Sequence, residues 1–304
     1  MNSLFGILLQ IFAMACFTSQ GAFVRFVSDR IPIGEIVFAR SLFGLIPLVL
    51  WLAWQGQFKT MWRTSNLRAH VSRGLVNLGG MFCNFSALAR IPLADAIALG
   101  YASPLFTVIL AATFLGEVVR LWRWLAVLVG FGGVLLMLLP HIGQGTYDDT
   151  AALGGFFALS AAFLFAVAMT QIRHMTAKET TGALVFFYSA VGIVVSLTTL
   201  YWGWAIPSGS DLIALIVMGT LGGMAQILMT ESFRHAAAAV LAPFAYSSMI
   251  WAITIGYFWF AEVPALIVLA GAAVVIGSGL FVIWREHQLG LDRKRPPTSA
   301  EPTV

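Results

Sequence analysis

Ten stretches of about 20 largely apolar residues follow one another along the chain, at 4–25, 33–54, 70–89, 93–115, 121–139, 152–172, 182–202, 211–233, 238–260 and 264–284, each as long as a helix needs to cross the hydrocarbon of a bilayer. Hydrocarbon offers a backbone amide no partner, so every N–H and C=O must be satisfied within the span. The segments between the stretches are too short to fold alone. With 60% apolar and 10% charged residues, and a mean hydropathy of +0.89, the chain also lacks the polar surface of a soluble body. The expectation is an all-α polytopic membrane protein of ten transmembrane helices.

Basic residues set its orientation, because Lys and Arg accumulate on the cytoplasmic side. With both termini inside, thirteen of them fall there (Lys59, Arg63, Arg68, Arg73, Arg120, Arg123, Arg173, Lys178, Arg234, Arg285, Arg293, Lys294, Arg295) against Arg25, Arg30 and Arg90 outside. The net charge of +4 is therefore a topology signal and implies no nucleic-acid partner. Cys16 and Cys83 both lie inside spans, and no disulfide is expected. The tail from 285 to 304 is polar and proline-rich and reads as disordered and cytoplasmic.

The chain also repeats itself. "GEIVFARSLFG" at 34–44 and "GALVFFYSAVG" at 182–192 share Gly, Val, Phe, Ser and Gly at one spacing. At the same offset of 148, Gly6 matches Gly154 and Arg25 matches Arg173; at 143, "LGGM" (78–81) falls on "LGGM" (221–224); at 145, Tyr101 falls on Tyr246 and Glu117 on Glu262. This order implies two five-helix repeats, 1–140 and 152–284, joined by an external linker at 141–151. Five is odd, so the second repeat enters the bilayer from the opposite side. Inverted repeats allow two exchanged half-conformations to present one central site to either side in turn.

The run "RIPLADAIALGYASPLFTVILAATFLGEVVRLWRW", with its Pro-Leu-Ala-Asp-Ala start, mid-helix Ser-Pro and closing Gly-Glu, resembles the fourth helix and following turn of the drug/metabolite transporter superfamily, in its EamA branch. "YFWFAEVPALIVLAGAAVVIGSGLFVIWRE" is similar to that branch's last two helices, with Ala261-Glu262 where the branch has Gly-Glu. Around Pro92 to Glu117 the wording is closest to bacterial S-adenosylmethionine and riboflavin uptake carriers. The resemblance implies a multi-pass carrier of the bacterial plasma membrane that moves a small organic metabolite by secondary transport. Such scaffolds import or export, and small members of the superfamily flip lipid-linked carriers. The oligomeric state stays open between monomer and homodimer.

Polar groups inside a bilayer are costly and mark candidate sites. Arg73, Asn77, Gly80 and Asn84, spaced 0, 4, 7 and 11, share one face of the third span. The two amides suit an uncharged or zwitterionic solute, whereas Arg73, near the inner surface, reads as a lipid-facing anchor. Gly219, Gly223, Gln226 and Thr230 form the matching stripe of the eighth span, with Gln226 as its binding candidate. Arg40 lies deep in the second span, either holding a carboxylate or phosphate of the solute or tying down helix-end carbonyls; its repeat counterpart is Tyr188. Tyr101, Ser103, Tyr246 and Trp251 complete the binding candidates, and Pro104 and Pro243 mark kinks that could serve as gates. Glu231 and Asp95 are the candidate ion-coupling groups, should a proton or counter-solute drive transport. For Glu231 the competing reading is a local pair with His235, and for Asp95 a structural place at a helix start. There is no zinc-type His-Glu-x-x-His motif, no Asp-rich diphosphate site and no Walker loop, so neither a metal, a cofactor nor direct ATP use is expected, and an intramembrane enzyme is disfavoured.

Overall fold

The computed structural model describes residues 3–56, 58, 61–62, 64, 66–114, 121–142, 149–175, 179–236 and 238–293. Among these residues there are helices and no strand. In the first half they are α1 (Ser3–Val27), α2 (Ile33–Phe43), α3 (Leu45–Trp54), α4 (Leu67–Leu88), α5 (Leu93–Gly100), α6 (Ser103–Phe114) and α7 (Leu121–Ile142). The second half holds α8 (Asp149–Met175), α9 (Thr181–Leu197), α10 (Gly209–His235), α11 (Ala238–Ala245), α12 (Ser247–Phe260) and α13 (Leu266–Arg293). Seven helical stretches are long and apolar enough to cross a membrane, and Trp124–Leu139 is a shorter apolar one. Helix α4 misses that class for a visible reason: Arg68, His70, Arg73, Asn77 and Asn84 punctuate it.

Three of the ten expected spans are broken helices. The second divides at Gly44 into α2 and α3, the fourth at Tyr101-Ala102 into α5 and α6, and the ninth at Tyr246 into α11 and α12. Tyr101 and Tyr246 are repeat counterparts, so both halves interrupt the same span at the same place. Each break has a proline nearby that lacks an N–H for the i−4 carbonyl. Pro104 opens α6 just after its break, where a missing donor costs little, and Pro243 lies inside α11 just before its own.

Packing obeys the repeat. Exchanging the halves turns the α1–α10 contact into α8–α4, α2–α10 into α9–α4, and α1–α12 into α8–α6, and all of these contacts exist. The pairs α2–α9 and α7–α13 map onto themselves and straddle the pseudo-twofold axis. Helices α7 and α13, whose glycines suggest packing helices, meet at Gly133 and Gly271: a Cβ on either would lie 2.8 or 2.6 Å from the other's carbonyl oxygen. Small residues of this kind let membrane helices approach without a solvent-driven hydrophobic force.

For orientation, the near face is the one holding the start of α1, and the far face holds its end. At the far face Arg25 forms an ion pair with Glu262 and donates to the carbonyls of Leu88 and Ile91. Glu262 also accepts from the amide of Leu93, the first residue of α5, at 3.2 Å, the position an acid favours at the positive end of a helix. The counterpart pair, Glu117 and the side chain of Arg173, lies outside the described residues. A second far-face link joins Arg30 to Asp211 at 2.9 Å.

Two differences from the sequence reading have local causes. Helix α13 continues to Arg293, through residues 285–293 that were expected to be disordered. Arg, Glu, Gln and Leu favour a helix there in spite of Gly290, the first proline is Pro296, and Arg285 bonds Gln288 one turn on at 3.0 Å. Residues 294–304 lie outside the described set. At Ala261 the exchange of Gly for Ala carries a cost: this residue caps α12 in the left-handed region (φ 53°, ψ 31°), and the Glu262 amide closes back on Gly256 O at 2.9 Å. An L side chain there costs roughly 1–2 kcal/mol. Ala261→Gly is accordingly expected to stabilise the protein by about 1 kcal/mol, read as a raised midpoint in thermal unfolding.

Candidate functional site

The polar stripe of α4 borders a cavity of about 360 Å³ in the middle of the bundle. Lining residues on α4 run from Arg73 to Leu88, about 22 Å along the helix axis. Arg73, Asn77 and Asn84 all line it, whereas Gly80 packs against Phe165, whose ring would lie 2.7 Å from a Cβ there. That missing side chain is what lets Phe165 form a wall. The lining also takes Arg40 of α2, Tyr188 of α9, Gln226 and Met229 of α10, Ser248 of α12, Thr18 of α1 and Tyr101. Both repeats therefore build one hollow.

Arg40 is 2% exposed. Its Nη2 donates to Gly222 O at 3.2 Å, and its Cζ lies 4.9 Å from the centre of the Tyr188 ring. Among the described residues, Nε and Nη1 have no hydrogen-bond partner, and neither does the nearby Gln20 Oε1. Gln20 Oε1 and Arg40 Nε meet at Gly222, where a Cβ would stand 2.0 Å from the first and 3.1 Å from the second. Arg40 and Tyr188 hold equivalent places in the two repeats and meet because α2 and α9 face each other across the pseudo-axis. The guanidinium on the ring is a cation–π contact, strengthened where water is excluded.

Arg73 is buried at 3% exposure, and its Nη1 donates to Leu184 O at 3.4 Å. The lipid-anchor expectation for this residue is wrong. It lies nearly two turns into α4, and α9 packs over it, so its head cannot reach the membrane surface. No ion pair to Arg40 or Arg73 occurs among the described residues.

Tyr101 ties the two broken spans together. Its hydroxyl is 2.7 Å from Ser248 Oγ and donates to Tyr246 O at 3.2 Å, while its ring meets that of Tyr246 edge-on at 5.0 Å. Tyr246 itself lies behind the wall, its hydroxyl against Gly279. Ser103 and Trp251 also stay out of the lining; Trp251 is 37% exposed on the outer face of α12. Pro104 and Pro243 are exposed at their breaks.

The acidic candidates lie elsewhere. Asp95 is buried in the first turn of α5, outside the cavity lining. Glu231 accepts from Thr181 Oγ1 at 2.7 Å and lies 3.8 Å from Arg234 Nε. The expected partner His235 instead packs edge-on against Phe5. Both Glu231 and His235 border a separate, largely apolar cleft with Phe5 and Trp51. Among the described residues no cluster of His, Cys, Asp or Glu could hold a metal ion.

Sequence reasoning missed Thr18, Tyr188 and Ser248 as lining groups and misplaced Arg73. For Tyr188 a signal existed, since it is the counterpart of the one arginine deep in a span.

The EamA-like transporter family matches residues 4–139 and 152–284, once on each half. The chain belongs to that family. Among its relatives, an S-adenosylmethionine uptake transporter of Rickettsia felis is 30% identical over 264 residues, 87% of each chain. A pseudopaline exporter of Pseudomonas aeruginosa is 30% identical over 273 residues, 89% of this chain and 93% of its own. A riboflavin transporter of Rhizobium johnstonii is 28% identical over 234 residues, 75% of this chain and 72% of its own. A solved structure titled "Crystal structure of protein" superimposes with a TM-score of 0.64 at 18% identity, over 93% of this chain and 98% of its own, a likeness of fold. This EamA protein is thus a multi-pass membrane transporter and not an enzyme.

Proposed function

We propose that this protein is a secondary transporter that carries a small organic metabolite across the bacterial plasma membrane by alternating access, with both termini cytoplasmic. The observation that carries this reading is the central hollow, lined by polar groups from both inverted repeats at the level of the broken helices. In it Arg40 holds a carboxylate of the solute, while Asn77, Asn84 and Gln226 hydrogen-bond its polar remainder. Tyr101, bonded to Ser248, closes the two breaks on each other, and Pro104 and Pro243 mark where these spans bend between states. The relatives named for S-adenosylmethionine, pseudopaline and riboflavin support a metabolite cargo, and uptake and export both occur among them. Glu231, tied to Thr181 and Arg234 away from the hollow, serves as a structural anchor in this reading.

Counterflow in proteoliposomes, with a panel of radiolabelled metabolites at two pH values, tests the proposal. Asn84→Ala and Gln226→Ala are each expected to lower exchange of the accepted solute at least about tenfold, the worth of one or two hydrogen bonds lost in a buried site. Unchanged rates in both variants would refute the central site.

A further inference from the structure

The charges of the hollow narrow the solute further, on the proposed reading that the hollow is the transport site. Two guanidinium groups, Arg40 and Arg73, border it, and among the described residues its lining contains no Asp or Glu. The protein satisfies them sparingly: each donates to a single carbonyl, of Gly222 or Leu184, and two nitrogens of Arg40 remain unpartnered. Two like charges buried with no counter-charge among the described residues repel each other and have lost their hydration. Something that enters the hollow must supply the missing negative charge.

The geometry points to a solute of net negative charge, carrying two acidic groups on an apolar body. Arg73 reaches Leu184, and Arg40 covers the ring of Tyr188, one turn further along the same face of α9. Both guanidiniums thus meet α9 within one turn of each other, close enough for two acid groups on one small solute to engage them together. Each guanidinium has a planar fork that takes a carboxylate or phosphate bidentately. Beyond them the wall turns apolar, with Phe17, Phe165 and the methionines Met14, Met81, Met169 and Met229. Methionine adapts to irregular apolar shapes and packs well on rings. An ammonium or sulfonium group, by contrast, would enter a positive hollow with no acid to meet it. The lining therefore discriminates against cations and, less strongly, against zwitterions.

Four probes that share one phenyl ring separate the charge classes: phenylsuccinate with two carboxylates, 3-phenylpropionate with one, phenylalanine as the zwitterion and phenethylammonium as the cation. Binding is measured by calorimetry and thermal shift on the full-length protein in nanodiscs. Phenylsuccinate is expected to bind at least about tenfold tighter than 3-phenylpropionate, with the other two weaker still. Arg73→Gln should lower phenylsuccinate affinity several-fold more than that of 3-phenylpropionate, so that their ratio falls towards one, while Arg73→Lys retains the preference. Binding of phenylalanine or phenethylammonium as tightly as phenylsuccinate would overturn the inference, as would the binding of no probe, or an Arg73→Gln protein with the original ratio. Should Arg73→Gln not fold, as size exclusion would reveal, the four-probe order in the natural protein and in Arg73→Lys decides. Because binding is read without transport, a preserved charge order with unaltered exchange in Asn84→Ala and Gln226→Ala would sink the transport route and leave this assignment standing.

Discussion

Arg40→Gln is expected to lower solute exchange by about a hundred- to a thousand-fold while leaving the fold intact or more stable. Removing one partner of a buried ion pair costs about 3–5 kcal/mol, because the other charge is stranded, and each 1.4 kcal/mol is a factor of ten. In the solute-bound state the stranded group would be the carboxylate of the solute. In the empty protein the balance reverses. Arg40 is 2% exposed, with one carbonyl bond, one ring contact and two unpartnered nitrogens, so the natural residue already bears an uncompensated charge, and a neutral amide relieves it. Exchange should therefore collapse without a fall in melting temperature, the pattern of a residue kept for function at some expense of stability. Arg40→Lys keeps the charge but cannot cover the Tyr188 ring and reach Gly222 O with one compact ammonium; it should retain part of the activity. An Arg40→Gln protein that melts several degrees lower and still exchanges solute would identify Arg40 as a brace between α2 and α10.

Much of the fold is legible in the sequence, because a bilayer leaves few alternatives. Ten apolar runs must be helices, and matches such as Gly34 with Gly182 and Tyr101 with Tyr246 tie the two halves into one plan. The α4 stripe is equally readable, since spacing alone puts Arg73, Asn77 and Asn84 on one face. What spacing cannot say is which helix covers a face. Arg73 looks like a lipid anchor until α9 is packed over it, and Tyr188 looks like an ordinary aromatic until the pseudo-axis brings it under Arg40. Trp251 and Tyr246 fail for another reason. They lie five residues apart, about 140° around an ideal helix, so both could line one cavity only if Pro243 distorted the span; the span does break at Tyr246, yet Tyr246 lies behind the wall and Trp251 faces outward. The pairing of Glu231 with Arg234 and Thr181 depends on rotamers and on a neighbour fifty residues away. The left-handed turn at Ala261 shows why that position favours glycine, which the resemblance alone could not price.

Gly223→Ala is expected to destabilise the protein by about 3 kcal/mol or more, the upper end of what added bulk costs in a packed core, and to take transport with it. A Cβ at this position would stand 2.2 Å from Gly44 O, 2.7 Å from its Cα and 2.8 Å from its carbonyl carbon. All three are backbone atoms at the break between α2 and α3, so no side chain can swing aside. Relief requires α10 to move away from α2. That movement would stretch the bond from Arg40 to Gly222 O, the residue beside Gly223, and loosen the corner of the hollow where Gln20 and Arg40 meet. The repeat provides an internal comparison. Gly80, the counterpart of Gly223 in "LGGM", faces the Phe165 ring at 2.7 Å, and a ring at the end of a rotatable side chain can yield. Gly80→Ala should consequently cost less and act mainly by reshaping the cavity wall. Gly277, with nothing within 4 Å of a Cβ, supplies the control. Alanine there should be neutral or raise stability by up to about 1 kcal/mol, the helix-propensity difference. Melting followed by tryptophan fluorescence in nanodiscs should order the variants Gly277→Ala, Gly80→Ala, Gly223→Ala from highest to lowest midpoint. Equal midpoints for the last two would mean that the Gly44–Gly223 contact is not the point on which α2 and α10 are held together.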